Sequence, residues 1–214
     1  MHRAILGLLL VVMLAPAASA QTGKHVAIGA GITAHKYADS DFSTRNPSIS
    51  FVYRITLKPG GKQGWSWEPK GGFGWFTVDS DMEVGGSDTR IGKLRARPIM
   101  AGVERSYRAG PLKVGMSGVV GPSFNHFDVD DAARTAYHNR LGRDLTSIKV
   151  KNSIAVRPEL SGWYDLNRWW ALHVSISYMI DRPTVDTTAG GVTTSTTWKT
   201  DHLNAQIGFV VGIF

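Results

Sequence analysis

Cysteine is absent from all 214 residues, which excludes a disulfide scaffold, a thiolate zinc site and a thiol nucleophile together. Charge is sparse as well: 19% of residues are charged and 43% hydrophobic, a balance foreign to disordered tails and to multi-span helical proteins. No uncharged apolar run beyond the N-terminal segment approaches the roughly 20 residues that a helix needs to cross a bilayer. A helical inner-membrane protein is therefore excluded. Nucleotide and metal signatures are missing too. Gly71-Gly72-Phe73-Gly74 has neither the lysine nor the following helix of a phosphate loop. The seven histidines show no ligand spacing on one element, so no metal and no cofactor is expected.

Met1–Ala20 reads as a secretory signal peptide: His2 and Arg3, an apolar stretch from Ala4 to Leu14, then Ala18-Ser19-Ala20 as an A-x-A cleavage pattern. Pro16 interrupts a stretch already too short to anchor the chain as a helix. The expectation is an exported chain, 21–214 forming one domain. Such a chain is either a soluble exported domain or one that crosses a membrane as strands. The basic balance, +7 formally, does not point to nucleic acid in an exported protein.

What the mature chain does contain is alternation. Glycine and polar punctuation divides it into segments near 25–34, 48–57, 65–77, 94–107, 112–124, 148–164, 170–180 and 202–213. Most carry apolar residues on one parity, the pattern of strands with one apolar face. In 170–180, Trp170, Leu172, Val174, Ile176, Tyr178 and Ile180 alternate with His173, Ser175 and Ser177. Segment 94–107 is the exception, its parity slipping around Pro98, where a bulge is expected. Short joins near 58–64, 108–111 and 165–168 alternate with long polar connections at 35–47, 79–93, 125–147 and 181–201. That is the pattern of an outer-membrane barrel, with short periplasmic turns and long outer loops. Closing the sheet leaves no backbone edge unpaired in hydrocarbon.

Aromatic residues fall in two groups. Trp65, Trp67, Tyr107, Trp163, Tyr164, Trp169 and Trp170 lie near the short turns; Tyr37, Trp75, Phe124, Phe127, Tyr178 and Trp198 lie near the other end. Two such girdles are expected where a barrel meets the two membrane interfaces. On these features the chain resembles the small bacterial outer-membrane barrels of the OmpA, OmpX and OmpW type. The last strand carries the most specific element, with Phe209 on the lipid-facing parity and a terminal Phe214 that the resemblance makes the signal for the barrel-assembly machinery. Phe214 stands on the opposite parity to Phe209, a departure from the family pattern. The resemblance implies an all-β, eight-stranded antiparallel up-and-down barrel in the outer membrane, monomeric.

The inward face then carries Arg54, Glu68, Lys70, Lys113, Lys149, Lys151, Arg157, Glu159 and His173, joined by Arg95 and Arg97 if even positions of 94–107 face outward. Buried charges persist only when paired, and an eight-stranded interior is just wide enough for side chains to fill. A salt-bridged plug is expected, with a structural or surface-interaction role. The alternative is a narrow channel preferring anions, since bases outnumber acids among these residues. Lipid A deacylases of the same architecture use a His-x-Ser pair, which His173-Val174-Ser175 resembles; here Ile176 replaces the usual Asn, both residues face the lumen, and no enzyme activity is expected.

Outside the barrel, Asp130 and the residues up to Gly142 read as a capped short helix in the third long connection rather than a calcium loop. The Thr- and Gly-rich stretch 184–200 is expected to be mobile. Arg45, Arg90, Lys93, Arg134, Arg140, Arg143 and Lys199 lie in or beside the long connections, and lipopolysaccharide is the expected counterpart of that charge.

Overall fold

The computed structural model describes residues 26–43, 48–55, 63–167 and 169–212, with backbone only for 26–27 and 48–55. The signal-peptide segment, Phe214 and the side chain of Arg54 lie outside the described residues. Thirteen strands and one helix are described: β1 (Val26–Tyr37), β2 (Phe42–Ser43), β3 (Ser48–Ile55), β4 (Gly64–Phe73), β5 (Phe76–Val84), β6 (Ser87–Ala109), β7 (Leu112–Val129), α1 (Asp131–Leu141), β8 (Leu145–Val150), β9 (Ser153–Asp165), β10 (Trp170–Asp181), β11 (Thr184–Ala189), β12 (Val192–Thr197) and β13 (His202–Gly212).

The main sheet runs β2-β5-β6-β7-β9-β10-β13-β1-β3, all antiparallel, with β4 pairing β6 below β5. β4 and β5 together act as one wall strand, interrupted at Gly74-Trp75, so the wall has eight staves. The β1–β13 ladder, from Ala27↔Gly212 to Tyr37↔His202, joins the first stave to the last. The result is a near-closed, all-β, eight-stranded antiparallel barrel. Among the described residues no ladder links β3 to β4; at the long-connection end β2 pairs β5 through Phe42↔Ser80 and Ser43↔Asp79.

Strand parity decides the facing, because side chains alternate across a strand. On β7, Leu112, Val114, Met116, Val120 and Phe124 are exposed, whereas Lys113, Ser117, Val119, Ser123 and Phe127 are buried inside. The exposed apolar residues form a belt that soluble proteins do not show. Its edges are marked on β6: the Arg97 guanidinium lies 4.4 Å over the Trp75 ring, and that of Arg105 lies 4.8 Å over Trp65. The two arginines are eight positions apart, about 26 Å along a strand at roughly 3.3 Å per residue. At a tilt of about 40° this is about 20 Å of height, close to the apolar band of a membrane barrel.

From Gly92 to Ala109 β6 keeps a single parity, which corrects the slip expected around Pro98. Leu94, Ala96, Pro98, Met100, Glu104, Ser106 and Arg108 all face inward, so Arg95 and Arg97 face outward. The β6–β7 register is continuous through Pro98, and no bulge lies there; the irregularity falls at Ser80/Asp81 in the β5–β6 ladder. Pro98 has no N–H to donate, and it sits opposite the interruption between β4 and β5, where its carbonyl accepts from Gly74 N–H at 3.1 Å.

The long connections are built structure. β5 and β6 continue as a hairpin to a Gly85-Gly86 turn, both glycines at positive φ. Segment 148–164 is split at Lys151-Asn152. β8 leaves the barrel to join a second sheet, β12-β11-β8, in which most of the stretch 184–200 forms the β11–β12 hairpin. α1 follows Asp130 and ends at Gly142 in the left-handed conformation, although the Asp130 side chain does not cap it and instead pairs with Arg90. The turn and helix enclose an apolar core of Phe42, Val78, Ile91, Leu94, Phe127 and Trp198 with Ala133 and Ala136 of α1.

Candidate functional site

The charged layer lies in the half of the barrel nearer the short turns. Inward positions of four neighbouring staves supply it: Glu68 and Lys70 from β4, Glu104 and Arg108 from β6, Lys113 from β7, and Arg157, Glu159 and Asp165 from β9. Lys113 Nζ sits 2.8 Å from both Glu68 Oε2 and Glu104 Oε1. Lys70 Nζ reaches Glu104 Oε2 at 2.8 Å and Glu159 Oε1 at 3.0 Å. Arg157 continues the series to Glu159 at 3.6 Å, and Arg108 pairs with Asp165 at 2.8 Å. The order Glu68–Lys113–Glu104–Lys70–Glu159–Arg157 alternates in sign, so each internal member has opposite charges on both sides. Such pairing is what lets charges remain in a narrow interior.

Glycine supplies the space. A Cβ at Gly115 would stand 2.9 Å from the Glu104 carboxyl carbon, and one at Gly72 would meet an Arg157 nitrogen at 3.0 Å. Beside the network, Trp163, the ladder neighbour of Lys113, stands with its ring 4.0 Å from that of His173 on β10, and Trp163 packs with Ala171 and Val210.

A polar and aromatic layer lies above. The Asp181 carboxylate accepts hydrogen bonds from the Ser123 and Ser153 hydroxyls, and Asp201 takes Asp181 N–H at 3.1 Å and the Arg182 guanidinium at 2.8 Å. His35 bonds Asn204 at 2.5 Å, and Phe76 stands edge-on to His35 and His202 at 5.3 and 5.2 Å. A small cavity of about 10 Å³ lies among Tyr37, Phe76, Leu94, Met179, Asp181 and His202. Higher still is the apolar core beneath the hairpins and helix.

Of the residues singled out for the lumen, Glu68, Lys70, Lys113, Arg157 and Glu159 meet in one network. Lys149 and Lys151 do not. Both are exposed: Lys149 stands in β8, and Lys151, just beyond it, pairs with Asp186 at 2.9 Å, because the strand break carries them out of the barrel. Glu104, Arg108 and Asp165 were missed, the first two because Pro98 obscured the parity of β6. With them the described network holds four carboxylates and four cations, which removes the excess of bases behind an anion preference. His173 and Ser175 face the lumen as expected, with His173 against Trp163. The girdles need correction: Trp163, Tyr37, Phe127 and Trp198 point inward, and Trp163, Phe127 and Trp198 are buried. Trp65, Trp67, Tyr107, Trp169 and Trp170 remain exposed at one edge, and Trp75, Phe124 and Tyr178 at the other. Phe209 is half exposed on the belt.

The sequence matches no protein-family model and no curated relative. Solved structures do resemble the chain. The outer membrane protein OprG from Pseudomonas aeruginosa aligns over 90% of this chain and 97% of its own, with a TM-score of 0.69 at 15% identity. The outer membrane protein AlkL, solved in DMPC lipid bilayers, aligns over 92% of this chain and 93% of its own, with a TM-score of 0.52 at 16% identity. The chain has the fold of these small outer-membrane barrels.

Proposed function

We propose that this chain is a monomeric outer-membrane barrel with a structural or surface-interaction role, its lumen closed by ion pairs and its outer end built as a rigid platform. The alternating network from Glu68 to Arg157 carries this reading. It crosses four staves with no excess charge, and the rings of Trp163 and His173 stand beside it on the adjoining staves. A continuous aqueous path would have to break pairs whose partners are buried, at a cost of several kcal/mol for each uncompensated charge. The exposed belt and its aromatic edges support an outer-membrane location, reached by export and by the barrel-assembly machinery acting on the last strand. His173 and Ser175 point away from any lipid substrate, which favours a non-catalytic role.

Planar-bilayer conductance of the refolded mature chain tests the plug, with heat-modifiable gel mobility reporting that it folded. The wild type is expected to be silent and Glu159→Ala, which unpairs Lys70 and Arg157 in part, to show channel steps. Steady current from folded wild type would replace this reading with a narrow channel for a small solute.

A further inference from the structure

Several of the basic residues near the long connections are already engaged. Arg90 pairs with Asp79 and Asp130. Arg134 donates to the Leu145 carbonyl, and Arg140 to the Val84 and Ser87 carbonyls. Three further cations stand in a column at successive outward positions of β6: Lys93, Arg95 and Arg97, all exposed. Arg95 gives a guanidinium nitrogen to Asp128 at 2.7 Å, and His126, directly across the ladder from Arg95, approaches the same carboxylate at 3.2 Å. Lys93 has Asp79 and Asp128 as its ladder neighbours, without an ion pair to either. Arg97 has no carboxylate within reach among the described residues.

Arg97 is also the best placed of the three. Its guanidinium is held 4.4 Å over Trp75, its ladder neighbour is the exposed Phe124, and the next outward residue is Ile99, half exposed on the belt. Stacking fixes the plane of the fork while leaving its N–H groups pointing past the ring. The position is the line where the wall changes from apolar to charged. A molecule that satisfies both sides has acyl chains lying on Ile99, Phe73 and Phe124 and an anionic group at Arg97.

We propose that Arg97, with Arg95 and Lys93 above it, forms a binding site for the phosphate of an acylated outer-leaflet lipid, lipid A being the occupant. Guanidinium and phosphate match in geometry and charge. Arg105 offers the contrast at the opposite edge: it stacks on Trp65 and Trp67, with Ala101, Val103 and Tyr107 rather than cations as its outward neighbours on β6. The site depends on the membrane placement above and not on the closed lumen.

The test refolds the mature chain into phosphatidylcholine vesicles containing bisphosphorylated lipid A, then purifies the barrel and measures retained lipid A by mass spectrometry. Wild type is expected to keep about tenfold more lipid than Lys93→Gln/Arg97→Gln, the scale of losing a charge-assisted contact. Arg97→Gln alone is expected to fall between them, and Arg105→Gln to match wild type. Dephosphorylated lipid A should be retained at the double variant's level. Equal retention by wild type and both Arg97 variants, or indifference to the phosphates, would overturn the site. So would complete displacement by inorganic phosphate at the lipid's concentration, which assigns the column to the free anion. Heat-modifiable mobility separates these results from a failure of the barrel itself, since a chain that is not a membrane barrel shows no folded band.

Discussion

Glu104 shows how a single side chain organises the lower lumen. It is buried, it accepts from both Lys113 and Lys70, and Gly115 opposite leaves the space its carboxylate occupies. Removing it leaves two ammonium groups each with one remaining partner, Glu68 for Lys113 and Glu159 for Lys70. Glu104→Ala is expected to destabilise the folded barrel by about 3 to 5 kcal/mol, the range for breaking a buried pair from one side. Urea unfolding in lipid vesicles measures it; a loss within 1 kcal/mol would mean the network relaxes and does not hold the staves. Glu104 also marks a limit of sequence reading. Its parity is visible only once β6 is known to run unbroken past Pro98, and that depends on the gap in the neighbouring stave.

Among the elements, the β11–β12 hairpin departs most from expectation. A run of Thr with Gly190-Gly191 has little to bury, yet both glycines adopt positive φ, the requirement of a two-residue hairpin turn, and β-branched threonines favour the pleat. Asp186 ties it down, accepting from Ser195 Oγ at 2.6 Å and pairing with Lys151. The Ser195 hydroxyl, then Lys151, hold the Asp186 carboxyl below its ordinary value of 3.8. A carboxylate with a depressed folded pKa contributes stability above its unfolded value and loses it as the pH falls through the folded one. Neutral solution therefore leaves the hairpin intact, and acid below pH 3.8 is expected to loosen it. Asp186→Asn should reproduce that loosening at neutral pH, read as faster amide exchange across Val192–Thr197. Unchanged exchange in the variant would locate the hairpin's stability in its ladders alone.

For the whole molecule, two interiors stack in one barrel. The lower is charged and lies within the membrane belt; the upper is an apolar core closed by α1 and the hairpins, with Val78, Ile91, Leu94 and Val185 almost wholly buried. The polar layer around Asp181 and His202 separates them. Their failures should be separable. Leu94→Ala is expected to cost about 2 to 5 kcal/mol, the range for emptying a packed aliphatic site. Tryptic cleavage at Arg134, Arg140 or Arg143 should accelerate, while the folded variant stays silent in a planar bilayer. Conductance appearing with that substitution would show that the upper core, too, forms part of the plug.

The number of wall strands, the facing of most of them, the membrane belt and five of the eight charges in the network were legible in the residues, because alternation with period two is a local property of a strand. The helix over Asp131–Leu141 was legible from its boundary residues, Asp130 and Gly142. Partner choice and stave length were not. Lys149 and Lys151 have the composition of lumen residues, and only the departure of β8 into a second sheet puts them outside. Tyr37, Phe127, Trp163 and Trp198 read as interfacial aromatics until the long upper staves, β6 at 23 residues among them, give three of these rings an upper interior to fill and parity turns Trp163 into the lower lumen. Facing follows from neighbours along the chain, whereas the depth at which a side chain sits depends on tilt, stagger and closure, which arise only when all eight staves meet.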